Sequence, residues 1–234
     1  MRIRFFQSRF KYKDHNNIVL HQYKAIYFPI PKIASSSLKK VCADLLGINS
    51  PDPDDPYALI HKRDYPYVKK SVILKKYSDY TRFCFVRNPW DRVVSCYTNK
   101  IHADKEYNDQ WYTNGVATPL LRYGETFKGG MKFEAFVDAI NDIPDHQADD
   151  HFKSQYLFVT DNTDTLLVNF IGKFENFEFD FNCLYQKIGL PPITLPHMLK
   201  STRKNYKSYY NSNTKRLIGK RYTRDIELFR YDFI

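Results

Sequence analysis

Apolar positions along this chain follow two spacings, and the switch between them marks the elements. Residues 25–28 form an unbroken apolar run, as in a buried strand. Leu38, Val41, Cys42, Leu45 and Leu46 then fall at i, i+3, i+4, i+7 and i+8, one face of an amphipathic helix. Gly47 stands where a C′ glycine would end that helix. The arrangement recurs. Phe83-Cys84-Phe85-Val86 is a second buried strand, Asn88 and Pro89 suit a helix cap and first position, and Trp90, Val93, Val94 and Tyr97 form an apolar face. Phe133, Phe136, Val137 and Ile140 mark a short helix. Phe177, Phe181, Leu184, Tyr185 and Ile188 mark another, stopped by Gly189 and Pro191-Pro192. Tyr222, Ile226, Phe229 and Phe233 suggest a closing helix. The runs 156–159 and 166–171 read as strands around the turn residues Asp161 and Asn162, and 67–77 as a weakly patterned helix.

Between these segments the chain is polar. Residues 1–23 are a mixed lead-in or edge strand, 49–56 a loop by their prolines and aspartates, and 142–150 an acidic connection. Residues 98–130 show little periodicity and read as an insertion, either a substrate-side loop or a disordered stretch. Strands alternating with helices give an α/β fold with a largely parallel sheet, in one domain over 1–234. Ligands of such sheets sit outside the carboxyl ends of the strands, where the turns at Lys32 and Arg87 would both open.

The first turn is the more unusual. Pro31-Lys32-Ile33-Ala34-Ser35-Ser36-Ser37 places an ammonium and three hydroxyls at a helix N-terminus, where backbone N–H groups lack partners and the helix dipole favours negative charge. That is an anion cradle. A serine could instead only cap the helix, although one cap needs one hydroxyl. A nucleoside-triphosphate P-loop is excluded, because it needs glycines and a Lys placed just before a single Ser or Thr.

Composition narrows the partner. Thirty-six basic against twenty-six acidic side chains leave a net +10, which favours an anionic ligand. Nineteen Tyr and eighteen Phe supply core and core rim, and some Tyr could line a sugar or base site. Cys42, Cys84, Cys96 and Cys183 are scattered without C-x-x-C spacing. They read as buried free thiols rather than a zinc site, in keeping with a reducing compartment. No apolar run approaches membrane-spanning length and no signal-peptide pattern opens the chain, so a soluble, cytoplasmic protein is expected.

The residues of both turns carry a family resemblance. Pro31-Lys32-Ile33-Ala34-Ser35-Ser36-Ser37-Leu38 resembles the 5′-phosphosulfate loop of carbohydrate sulfotransferases, with Ala34 to Ser37 standing where many members have Gly or Thr. Phe85-Val86-Arg87-Asn88-Pro89-Trp90-Asp91-Arg92-Val93-Val94-Ser95 resembles their 3′-phosphate element, whose Arg and Ser lie eight residues apart, as Arg87 and Ser95 do. Phe170-Ile171-Gly172-Lys173-Phe174-Glu175-Asn176 and the ending from Asp225 to Phe233 are also similar to soluble, bacterial-type members. The resemblance runs from about residue 24 to the end. It implies a P-loop-NTPase-like sulfotransferase fold, a central mostly parallel sheet flanked by helices. It further implies a sulfotransferase that uses 3′-phosphoadenosine 5′-phosphosulfate (PAPS) as donor, yields the bisphosphate PAP, acts on a glycan or other hydroxyl acceptor and needs no metal.

The resemblance also implies roles. Lys32 would stabilise charge on the leaving phosphate, with Ala34, Ser35, Ser36 and Ser37 around the 5′-phosphosulfate. Arg87, Ser95 and Arg203 would hold the 3′-phosphate. The acceptor hydroxyl needs a base, for which histidine is the natural type. Of seven histidines, His61 is the first choice, lying in the interval where related enzymes place one, and His151 the second, opening a His-Phe-Lys-Ser-Gln stretch similar to one common in the family; an acidic residue is the remaining option. The alternative function is a non-catalytic basic protein that binds a nucleotide or polyanion. Nucleic acid is not expected, since no zinc-finger, RRM or helix-turn-helix signature is present.

Overall fold

A computed structural model describes residues 17–49, 65–190 and 204–233. Five strands form the main sheet: β1 (Asn17–Leu20), β2 (Ala25–Tyr27), β3 (Tyr67–Val68), β4 (Thr81–Val86) and β7 (Phe170–Lys173), in the order β3-β1-β2-β4-β7. β2, β4 and β7 pair in parallel, while β1 runs against both of its neighbours. Four of the five strands therefore point the same way. β2 is wholly buried and β4 is buried from Phe83 onward, which is why both read as continuous apolar runs rather than alternating ones.

The two strand–turn–helix units form as the pattern predicts. β2 leads to α1 (Ser35–Leu45), which buries Leu38, Val41 and Cys42 and ends before the left-handed Gly47. β4 leads to α3 (Pro89–Lys100), capped by the Asn88 side chain accepting from the Trp90 N–H and begun by Pro89. The helix α4 (Phe133–Asp142) buries Phe133, Phe136, Val137 and Ile140. The helix α6 (Phe177–Ile188) buries Phe181, Leu184 and Ile188 and stops at left-handed Gly189.

Other segments depart from the sequence reading. Residues 67–77 divide into the edge strand β3 and a shorter helix α2 (Lys70–Lys76). The run 156–159 is not a strand but a single helical turn, α5 (Tyr156–Val159), and the following strand lies later than expected, at β7. The closing segment is two helices, α7 (Ser212–Arg221) and α8 (Thr223–Phe229), with Phe233 beyond them. The stretch after α3 is ordered. It carries a hairpin of β5 (Tyr112–Thr113) and β6 (Val116–Ala117), turned by Asn114 and Gly115, both at positive φ as a two-residue hairpin turn requires. Cys42, Cys84 and Cys96 are buried thiols, but Cys183 is exposed.

Apolar side chains collect in two cores. One lies around the sheet, α1 and α6; the other packs α3 against α4, α7 and the segment through Leu120 and Phe127. Among the described residues no helix is long and apolar enough to cross a membrane.

Candidate functional site

β2 and β4 are neighbours, so the turns that follow them open side by side. They also bond directly. The Arg87 guanidinium donates from Nη1 to the Lys32 carbonyl at 3.0 Å, and Arg92 Nε donates to the Pro31 carbonyl at 3.0 Å. Lys32 and Ala34 both take positive φ, 73° and 61°. Ala34 is the N-cap residue of α1, and no side chain caps that helix. The serines therefore do not serve as its cap: Ser35 and Ser36 are half-buried and Ser37 is buried at its first turn.

Lys32 is half-buried, and its ammonium is held down to about 7, first by burial, with Lys100, Arg87 and Arg92 acting in the same direction and the Cys96 thiol opposing. Arg87 forms the ion pair with Asp91 that its i,i+4 spacing allows, Nε to Oδ2 at 2.7 Å, and its guanidinium lies 4.1 Å from the centre of the Phe174 ring. This pair does not remove Arg87 from the turn, because Nη1 holds Lys32 at the same time. Ser95 is buried within α3.

His151 stands on the segment between α4 and α5. Its Nδ1 is 2.6 Å from Asp149 Oδ1, which also accepts the His151 backbone N–H at 3.0 Å. Burial lowers the imidazole to about 4; the Asp149 bond works against this, while the charges of Lys100 and Lys32 add to it. His151 is thus within electrostatic reach of Lys32, and Asp149 fixes its ring. His61 and Arg203 lie outside the described residues.

Several residues that the sequence reading did not single out complete the site. Arg92 is fully buried and, besides Pro31, donates to the carbonyls of Lys153 (2.7 Å) and Asp150 (2.9 Å). The Gln155 side-chain amide brackets the Arg87 peptide, accepting its N–H at 2.9 Å and donating to its carbonyl at 2.8 Å. Glu175 accepts the Asn88 N–H at 2.7 Å and the Tyr231 hydroxyl at 2.9 Å, and Asn88 Nδ2 donates to the Asp232 carbonyl at 2.7 Å. The stretches around Phe174 and after Asp225, which carry part of the family resemblance, therefore converge on residues 87 and 88. Their distance along the chain hides this from any local pattern.

Such a site suits a ligand with an anion at each end. One end would meet the α1 N-terminus with Lys32 and the serines, the other Arg87 and the start of α3. Among the described residues no group of three or more His, Cys, Asp and Glu is placed to hold a metal ion.

The chain is similar in sequence to known carbohydrate sulfotransferases. The chain is 24% identical to carbohydrate sulfotransferase 10 of Xenopus laevis and 25% identical to that of Homo sapiens, over 91% of its own length and 66% of theirs. It is 25% identical to carbohydrate sulfotransferase 14 of Mus musculus over 75% of this chain and 47% of that one. It thus spans just under two thirds of the length of the first two of these relatives and under half of the third. No solved structure matches it. The sequence model of the sulfotransferase family matches residues 15–232, nearly the whole chain, and the protein belongs to that family.

Proposed function

We propose that this chain moves a sulfuryl group from PAPS to a hydroxyl of a carbohydrate. The observation that carries the reading is the bond from Arg87 to the Lys32 carbonyl, which joins a cradle for one anion to a grip for another. The family match and the carbohydrate sulfotransferases among the relatives support it.

The donor, when bound, supplies the sulfuryl group and carries the leaving phosphate. Lys32 and the N–H groups at the start of α1 stabilise charge that develops on that phosphate, as in phosphoryl transfer, where positioning and electrostatics do most of the work. Arg87 and Ser95 hold the 3′-phosphate and fix the donor along its length. Of the two histidine candidates, His61 lies outside the described residues, and for His151 the Asp149 bond at Nδ1 orients the ring and leaves Nε2 to take the acceptor proton. The acceptor oxygen gains the bond to sulfur, the bond from sulfur to the phosphate oxygen breaks, and PAP leaves.

The test is transfer of labelled sulfuryl from PAPS to a panel of glycans. Lys32→Ala and Arg87→Ala are each expected to lower kcat/KM by about 100-fold or more, the scale of losing one preorganised charge-stabilising group. His151→Ala should lower kcat with donor binding retained. PAP should raise the melting temperature where equal AMP does not. Transfer unchanged in both cation variants would overturn the reading.

A further inference from the structure

The buried carboxylate of Asp225 lies away from both turns in sequence, and its bonds lead to one of them. Its side chain is fully buried on α8, and each oxygen accepts a backbone N–H: Oδ1 from Tyr156 and Oδ2 from Gln155, both at 2.8 Å. These N–H groups stand at the start of α5, a four-residue turn too short to hold itself. Gln155 Nε2 also lies 3.5 Å from Asp225 Oδ2. The Gln155 amide then continues β4 past its last residue, pairing with both polar groups of the Arg87 peptide as a neighbouring strand would. Gln155 is itself fully buried, so water cannot replace either bond.

We propose that Asp225, acting through Gln155, is a positioning residue for the donor: it sets the Arg87 peptide and so aims the guanidinium at the 3′-phosphate. This rests on the reading of the site as a PAPS site. Burying a carboxylate is costly, and apolar packing would stabilise α8 against α5 at less cost. A carboxylate here does what apolar packing cannot, by fixing the rotation of two successive peptides. Guanidinium recognition of phosphate needs a set angle as well as charge. A shift of about 1 Å at such a contact can cost as much as 100-fold. The same segment holds His151 four residues earlier, and Arg92 grips its Lys153 carbonyl. The donor grip and the proposed base therefore share one short stretch of chain, with Asp225 at its end.

The experiment compares wild type, Asp225→Asn, Asp225→Ala and Gln155→Leu, each checked for folding by circular dichroism. The expected result is a KM for PAPS raised about tenfold or more in Asp225→Ala and Gln155→Leu, with an equal loss in PAP affinity by calorimetry. kcat at saturating donor should fall by a smaller factor than the KM for PAPS rises, and the acceptor KM should not move. Asp225→Asn, which keeps one acceptor oxygen, should recover part of the loss. Hydrogen exchange at the Arg87 amide should quicken in Gln155→Leu with no donor present. A purely structural role would lower the melting temperature and the active fraction and leave the KM for PAPS alone; that outcome in a folded variant overturns the proposal. If Asp225→Ala does not fold, Gln155→Leu, which leaves the carboxylate in place, decides between the two roles. Wild type that binds no PAP would sink the donor reading instead, and the exchange rate at Arg87 would still establish whether Gln155 holds that peptide.

Discussion

Lys32 sits in a half-buried turn crowded by other cations, and this sets how donor binding should depend on pH. Its ammonium loses its proton near 7 in the free protein, chiefly through burial. An incoming anion favours the charged form again. Below about pH 7 the group is already protonated and affinity should be flat. Above it each binding event must take up a proton, so affinity should fall by up to about tenfold per pH unit. The sign follows from linkage: a base with a lowered pKa binds fewer protons when folded than when unfolded. Lys32's own contribution to free-protein stability therefore rises between about pH 7 and its ordinary value of 10.5. Calorimetry of PAP binding from pH 6 to 9, in buffers of different ionisation enthalpy, should show both the slope and proton uptake. Lys32→Arg, which stays charged, should lack them. An affinity constant up to pH 9 in wild type would remove Lys32 from the contact. Ala34 shows a related tension, since its positive φ costs a non-glycine residue roughly 1–2 kcal/mol. The left-handed geometry is one that glycine would take without this cost.

At the scale of elements, the pairing of β4 with β7 sets the floor beneath Arg87. Phe85 stands opposite Gly172, and a Cβ built at Gly172 would lie 2.3 Å from the Phe85 ring. The ring cannot swing away, because it is fully buried and packs on Phe177 at 4.8 Å. Gly172→Ala should destabilise the fold by about 1–3 kcal/mol, the usual cost of overpacking. The loss should appear as a drop of several degrees in thermal unfolding and shrink when Phe85→Leu is added. An unchanged melting temperature would show that β7 moves freely against β4. Both strand–turn–helix units were legible in the sequence because their signals are local: apolar runs, Asn88-Pro89, and a glycine after the first periodic stretch. The run 156–159 was misread because four apolar residues have no usable period, and the carboxylate that stabilises their helical turn comes from Asp225, about seventy residues on. The β5–β6 hairpin had one signal, Asn114-Gly115, too isolated to outweigh the polar residues around it. Lys32, Arg87 and Ser95 could be given roles from the motifs, whereas Arg92 and Gln155 stand inside family-like stretches that say nothing of what they do, since their partners lie 58 to 70 residues away.

Across the whole molecule, the two cores meet where the site is. The turn after β2 belongs to the first core through Phe28, Ile30 and Ile33, while α3 gives Trp90, Val93, Val94 and Cys96 to the second. Arg92 joins them, since it rises from α3 and holds Pro31 on one side and Asp150 and Lys153 on the other. Three carbonyls on two separate stretches are satisfied by one planar fork, which a lysine ammonium cannot span. Arg92→Lys should break the bond to the buried Lys153 carbonyl, at about 1–3 kcal/mol, and weaken the link between the cores more than either core itself. Calorimetry should then find a measured unfolding enthalpy larger than the van't Hoff value, the sign that one cooperative transition has separated into two. PAP should bring the transitions back together, because the donor would bridge Lys32 and Arg87 across the same seam. A variant that still unfolds in one step, with PAP affinity intact, would mean that the cores are coupled through the remaining contacts of α3 and that Arg92 serves only its own segment.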